Sequence, residues 1–292
     1  MYRNIATDDS HKFFSTNITE TSIISKSLPA GVYRAYALKG LGQIMDMEFH
    51  KVQKSPYIKV NSGVYKEVQD HLNNFFSEPT LDLYKRMSIK HKSNCLLYGP
   101  PGTGKSVLLN MIATDVVEQR GAIVLYVEDI NSANYFIQNF NRSKEVPLIF
   151  ICEEFDRLMH YDDDYPDDET DCSSDILTFL DSPMSEGNMC FMATTNHLNR
   201  IPKTVKERPS RFELVVELSH APVEVINDIV DGIIPADIAS EFNIDKPKLK
   251  YNLGEASITI DEIKSVCVMH VIHKKSIDEA IKIVLSTKQP VE

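Results

Sequence analysis

The sequence predicts an α/β fold: a parallel sheet flanked by helices, with a short β-rich extension before it and a small helical domain after it. Three observations lead there. Four short apolar runs, "NCLLY", "AIVLYV", "PLIFIC" and "NMCFMAT", recur between residues 94 and 194, separated by helical or loop segments. Runs this short and this continuously apolar suit strands buried on both faces, and their alternation with helices suits a parallel sheet. A bare stretch, "GPPGTGKS", follows the first run and precedes a helix. Beyond residue 220 the pattern becomes helical throughout.

Residues 1–61 read as the β-rich extension. "GVYRAYALKGLGQIMDMEFHKV" contains two strand-like runs around Lys39-Gly40-Leu41-Gly42. In the second, Met45, Met47 and Phe49 alternate with Asp46, Glu48 and His50, the period of a half-buried strand, so the stretch predicts a β-hairpin. Residues 62–219 read as the large α/β domain, opening on the helical "VYKEVQDHLNNFF" and ending after "FELVVELS". Residues 220–292 read as a helical lid. "PVEVINDIVDGII" and "PADIASEF" open with proline, a favoured first helical residue, and Thr259–Glu262 and Ser276–Glu279 have capping-box spacing.

Charge and composition exclude several classes. The formal net charge is −11, but residues 152–171 hold ten acids and one arginine, leaving −2 for the remaining chain. A nearly neutral body argues against a broad nucleic-acid surface, which needs clustered Lys and Arg. The acid tract at 162–171 reads as a solvated loop. Five cysteines, without C-x-x-C pairing, argue against a disulfide scaffold or zinc site and for a reducing compartment. No signal-peptide core and no apolar run near the ~20 residues of a membrane span are visible, so a soluble, cytoplasmic protein is expected.

Gly99, Pro100, Pro101, Gly102, Thr103, Gly104, Lys105, Ser106 and Val107 carry the main chemical signal. The stretch matches G-x-x-x-x-G-K-[ST] between a strand and a helix, the arrangement in which backbone N–H groups cradle phosphates. Lys105 would bridge the outer phosphates and the Ser106 hydroxyl would ligate Mg²⁺, so a nucleoside triphosphate is the expected ligand. A loop that merely turns the chain explains the glycines but not the lysine–serine pair. "PLIFICEEFD" ends an apolar strand in Glu153 and Glu154, with Asp156 beyond. One acid would hold the metal's water shell (Glu153) and the next would polarise the attacking water (Glu154). The plainer alternative is that the chain has simply surfaced there.

"GPPGTGKS", "LIFICEEFD", "CFMATTN" and "RPSRF", in this order and spacing, resemble the P-loop AAA ATPases of the classical branch. "ATTNHLNRIP" looks closest to the mitochondrial Rieske-protein translocase and its relatives, and the short extension before the resemblance is similar to those of small viral and bacterial AAA proteins. The resemblance covers roughly residues 62–290. It implies ATP and Mg²⁺ as cofactors, Walker A and Walker B roles for the first two segments, and a water-placing role for Asn196, a residue that would otherwise read as a turn former. It also implies that Arg208 and Arg211 reach a neighbouring subunit's nucleotide, and hence a homo-oligomeric ring, typically a hexamer.

Three departures qualify the likeness. Glu153 stands where the family has aspartate. "EDINSANYFIQNFNRSKEV" leaves room for about one helix where unfoldases place a pore loop, and Tyr135, Phe136 and Phe140 read there as a packing face rather than a substrate grip. The start of the helix at 260 carries no arginine. In a ring, the acid tract would bring one copy of its charge per subunit toward the axis, favouring polypeptide over DNA. The expected function is ATP-driven remodelling of a protein client in the cytoplasm, the host's if the protein is viral. The alternatives are a nucleic-acid loader or a slow nucleotide-gated scaffold.

Overall fold

The computed structural model describes residues 5–7, 13–15, 23–25, 27–40, 43–53, 63–89, 91–159, 174–181, 187–221, 223–247, 249 and 258–286. The acid tract at 162–171 lies outside the described residues. Three short strands, β1 (Ile5–Thr7), β2 (Phe13–Ser15) and β3 (Ile23–Ser25), come first. The expected hairpin follows as β4 (Gly31–Gly40) and β5 (Gln43–Lys51), antiparallel, with a register shift between Leu38 and Lys39. Its alternation is as read in the middle, where Met47 and Phe49 are fully buried, but not at the tip, where Met45 is 60% exposed.

The four apolar runs become β6 (Lys92–Tyr98), β7 (Ile123–Tyr126), β8 (Leu148–Cys152) and β9 (Met189–Thr195), and β10 (Leu214–Glu217) closes the set. Among the described residues the ten strands form one sheet in the order β10-β6-β9-β8-β7-β4-β5-β2-β1-β3. The pairs β6/β9, β9/β8, β8/β7 and β7/β4 are parallel. β4 therefore extends the parallel sheet, Gly31 opposite Ile123 and Arg34 opposite Tyr126, and the hairpin carries the antiparallel N-terminal strands outward from it. Nothing in the hairpin's pattern announces that partner, because strand pairing across 92 residues leaves no local signature.

Among the described residues the α-helices are α1 (Gly63–Phe75), α2 (Glu78–Arg86), α3 (Lys105–Arg120), α4 (Ile130–Asn139), α5 (Ser174–Asp181), α6 (Lys203–Lys206), α7 (Val223–Ile233), α8 (Ala236–Glu241), α9 (Ile260–Val271) and α10 (Ile277–Ser286). α4 starts where Asp129 accepts the Ser132 N–H at 2.7 Å, an N-cap. Phe136 and Phe140 are buried beneath it and meet Phe49 of the hairpin at centroid distances of 5.7 and 5.1 Å, so they serve packing. Tyr135 donates its hydroxyl to the Met45 carbonyl at 2.7 Å. α9 carries the full capping box: the Thr259 hydroxyl accepts the Glu262 N–H, and the Glu262 carboxylate accepts the Thr259 N–H. At α10 the Ser276 hydroxyl accepts the Glu279 N–H, while the Glu279 carboxylate pairs with Lys275 at 2.6 Å. Pro235 sits one position before α8 rather than inside its first turn.

The described residues fall into two compact units. One draws on residues 1–55, 72–98 and 112–216 and contains the sheet and its core, in which Phe150, Phe155, Phe179, Phe191 and Phe212 are buried together. The other draws on residues 56–71, 99–111 and 217–292, and in it α9 packs against α7 and α10. The described cysteines, Cys95, Cys152, Cys190 and Cys267, are free and buried. Burial pushes the Cys95 and Cys152 thiols up to about 12, which leaves them protonated hydrophobes rather than nucleophiles.

Candidate functional site

The glycine loop belongs to the second unit and is braced from three directions within it. Gly99 has φ +147°, and a Cβ there would lie 1.9 Å from the Leu218 carbonyl oxygen. Gly104 has φ +89°, and a Cβ there would meet Ile260 Cδ1 at 2.4 Å and the Tyr65 hydroxyl at 2.8 Å. Only glycine satisfies both the backbone conformation and the space. Gly102 accepts the Asp261 N–H at 3.2 Å, and the Thr103 carbonyl accepts the Tyr65 hydroxyl at 2.8 Å. The Thr103 hydroxyl closes the loop on the Pro100 carbonyl at 2.9 Å. Pro100 and Pro101 are exposed.

α3 starts at Lys105, and its first regular bond runs from the Leu108 N–H to the Gly104 carbonyl at 2.9 Å. The opening N–H groups of a helix have no acceptor inside it and carry the positive end of its dipole, so this turn suits an anion. Lys105 is buried and donates to the Gly99 and Pro100 carbonyls at 2.7 and 2.8 Å. Burial pulls its pKa down, and phosphate oxygens beside it would raise it again. Ser106 is exposed in the first turn of α3 and Val107 half-buried. The Ser106 hydroxyl and the Glu153 carboxylate are hard oxygen donors of the kind Mg²⁺ prefers.

The acids belong to the first unit. Because β6, β8 and β9 are parallel, their C-terminal ends share one edge of the sheet. Glu153 is half-buried just beyond β8. Glu154 is exposed in a left-handed conformation, φ 55° and ψ 46°, which is rare for a residue with a side chain and concentrates at functional sites. Its N–H donates to the Thr194 hydroxyl at 3.3 Å, and its carboxylate pairs with Arg157 at 2.9 Å. Asp156, buried, accepts the Thr195 hydroxyl at 2.6 Å, and that hydroxyl in turn accepts the His197 N–H at 2.9 Å. The two threonines thus tie the turn after β8 to the end of β9. Asn196 follows directly and is half-buried.

The two arginines share one turn but differ in setting. The Arg211 side chain is 7% exposed and its guanidinium takes both oxygens of Asp181, at 3.0 and 2.7 Å, and the Thr204 carbonyl at 2.6 Å. The Arg208 side chain is 57% exposed and, among the described residues, reaches Asp181 alone, at 3.2 Å. The Arg211 hydrogen bonds hold the Asp181 carboxyl below the usual carboxylate range. Phe212, next in sequence, packs edge-on against Phe155 of the acid turn at 5.8 Å.

Several residues around the site carry little signal in the sequence. Asn94, whose side-chain amide donates to the Arg211 carbonyl at 2.5 Å, is hidden inside "NCLLY", where a lone amide in an apolar run is the available signal. Tyr65 lay within an ordinary helical pattern, and Asp181 within a segment with no motif.

Residues 95–220 match the family model described as "ATPase family associated with various cellular activities (AAA)". Over that stretch the chain is similar to an AAA domain. Similar proteins include the "ATPase family gene 2 protein" of Saccharomyces cerevisiae, 28% identical over 182 residues, 60% of this chain and 23% of that protein. The protein of the same name in Schizosaccharomyces pombe is 26% identical over 178 residues, 57% of this chain and 22% of that protein. An "AAA ATPase forming ring-shaped complexes" of Bifidobacterium adolescentis is 25% identical over 204 residues, 64% of this chain and 39% of that protein. The chain thus spans well under half the length of these relatives. Among the described residues no helix is long and apolar enough to cross a membrane.

Proposed function

We propose that this chain is an Mg²⁺-dependent ATPase that assembles into a ring, of hexameric form, and spends the cycle remodelling a protein client in a cytoplasm. The observation that carries the reading is the glycine loop: three glycines at positive φ, braced by Tyr65 and α9, delivering Lys105 and Ser106 at the start of a helix. Gly99 to Val107 would hold the triphosphate, with Lys105 leaving the Gly99 and Pro100 carbonyls for phosphate oxygens. Ser106 and Glu153 would hold the cation, which supplies charge neutralisation at the phosphates when bound. Glu154 would take the proton of the attacking water, and Asn196 would orient that water. The turn from Arg208 to Arg211 would act on a neighbour's nucleotide, a contribution of about 10³–10⁵ in rate for an arginine finger. Residues 62–219 would then act as the nucleotide-binding domain and residues 220–292 as its lid, with residues 1–61 an extension. Ring assembly is supported by the name of the Bifidobacterium relative, an "AAA ATPase forming ring-shaped complexes".

Lys105→Ala should lose ATP binding, and Glu154→Gln should bind ATP, stop turnover and stay assembled. Turnover by Glu154→Gln at the wild-type rate would remove it from its role. An unstructured polypeptide should stimulate the wild-type rate. Stimulation instead by single-stranded DNA, with steep salt dependence, would move the protein to the nucleic-acid class.

A further inference from the structure

The arginine turn is not a pair of equivalent reaching groups. Arg211 is clamped through its main chain as well as its guanidinium: its N–H donates to the Arg208 carbonyl at 2.8 Å and its carbonyl accepts the Asn94 side chain at 2.5 Å. Asn94 is itself 2% exposed, and its own carbonyl accepts the Glu213 N–H at 3.0 Å. Withdrawing the Arg211 fork would break a bidentate, charge-assisted pair and strip the Thr204 carbonyl of its donor. Arg208 has none of this. Its ion pair with Asp181 is solvent-exposed, the kind that exchanges easily.

We propose that Arg208 alone carries charge to a neighbouring protomer's nucleotide, and that Arg211, socketed by Asp181, Thr204 and Asn94, is a positioning residue that fixes the turn presenting it. Asp181 Oδ2 contacts both guanidiniums, so it also sets the resting place of Arg208. The proposal rests on the trans-acting reading above and divides its labour. It separates two arginines that the motif "RPSRF" presents as alike.

The test is non-additivity in turnover, measured on the full chain by radiometric phosphate release at saturating ATP and at protein concentrations where the specific rate has stopped rising. Arg208→Ala should lower kcat by about 10³-fold or more. Arg211→Lys keeps the charge but not the fork, and Asp181→Asn keeps the shape but not the charge. Each should lower kcat by about 10- to 100-fold through misplacement of Arg208, with KM little changed. Added to Arg208→Ala, neither should lower kcat further, whereas loss of folded protein would lower it in any background. A further multiplicative loss in Arg208→Ala/Arg211→Lys makes Arg211 an independent finger and overturns the assignment while the trans-acting reading stands. Unchanged turnover in both Arg211→Lys and Asp181→Asn also overturns it. Wild-type turnover by Arg208→Ala overturns the trans-acting reading and this proposal together.

Discussion

Replacing Gly99 by alanine should be the most damaging single-methyl change in the glycine loop. Its φ of +147° disfavours any side chain, and the new Cβ would stand 1.9 Å from a main-chain oxygen, that of Leu218. A backbone carbonyl cannot rotate aside, so the chain itself must move. Gly104 has comparable strain at φ +89°, but its Cβ would meet the side-chain ends of Ile260 and Tyr65, which can yield. Gly187, φ +88°, has nothing within 4 Å and isolates the conformational cost. Strain of this kind costs about 1–3 kcal/mol, and overpacking adds about 1–3 kcal/mol. Gly187→Ala should therefore lose about 1–3 kcal/mol and Gly99→Ala about 2–6 kcal/mol, with Gly104→Ala between them. Urea unfolding monitored by circular dichroism, with ATP affinity measured alongside, provides the comparison. A Gly99→Ala protein no less stable than Gly187→Ala would refute the packing of the loop against Leu218.

Other changes have equally definite outcomes. Thr195→Val preserves shape but leaves the buried Asp156 oxygen without its 2.6 Å donor, so urea unfolding should show a loss of about 1.5–3 kcal/mol; no loss would mean that the bond does not hold the turn. Tyr65→Phe should raise the KM for ATP more than it lowers kcat, because it frees the Thr103 carbonyl that shapes the loop, and an unchanged KM would contradict that bracing. Burial holds His91 below its usual range, with Lys85 acting the same way against the bond to the Phe75 carbonyl. The unfolded chain therefore takes the proton more readily. Stability is full above the unfolded value, near 6.5, and falls as pH drops from there through the folded value. The urea midpoint should decline between about pH 7 and 5, and His91→Phe, which keeps the ring stacked on Phe75 at 3.9 Å, should flatten that decline to what His71, shifted the same way by burial, still contributes. An unaltered slope would exonerate His91.

The parallel sheet was readable because strands buried on both faces have to be apolar throughout, and the glycine loop because its chemistry admits few residues. The hairpin was readable from the alternation of Met47 and Phe49, but its parallel pairing with β7 was not, since that contact joins residues 92 apart in sequence. The polar ties behind the acids were the least legible. Thr194 and Thr195 look like ordinary strand residues in "MATTN", and only the fold brings their hydroxyls to the turn of Glu154 and Asp156. Arg208 and Arg211 were visible, but their different surroundings were not. Exposure is decided by Asp181 and Thr204, which arrive from separate segments.

Mixing two crippled proteins tests the central claim most directly. Lys105→Ala should bind no nucleotide yet keep its arginine turn, and Arg208→Ala should keep a complete phosphate loop yet offer its neighbour nothing. Each alone should be nearly silent in ATP turnover, and their mixture should regain a rate far above the sum of the two as mixed rings form. A mixture as silent as its parts, or an Arg208→Ala protein that hydrolyses ATP at full rate alone, would contradict a site completed by the next protomer.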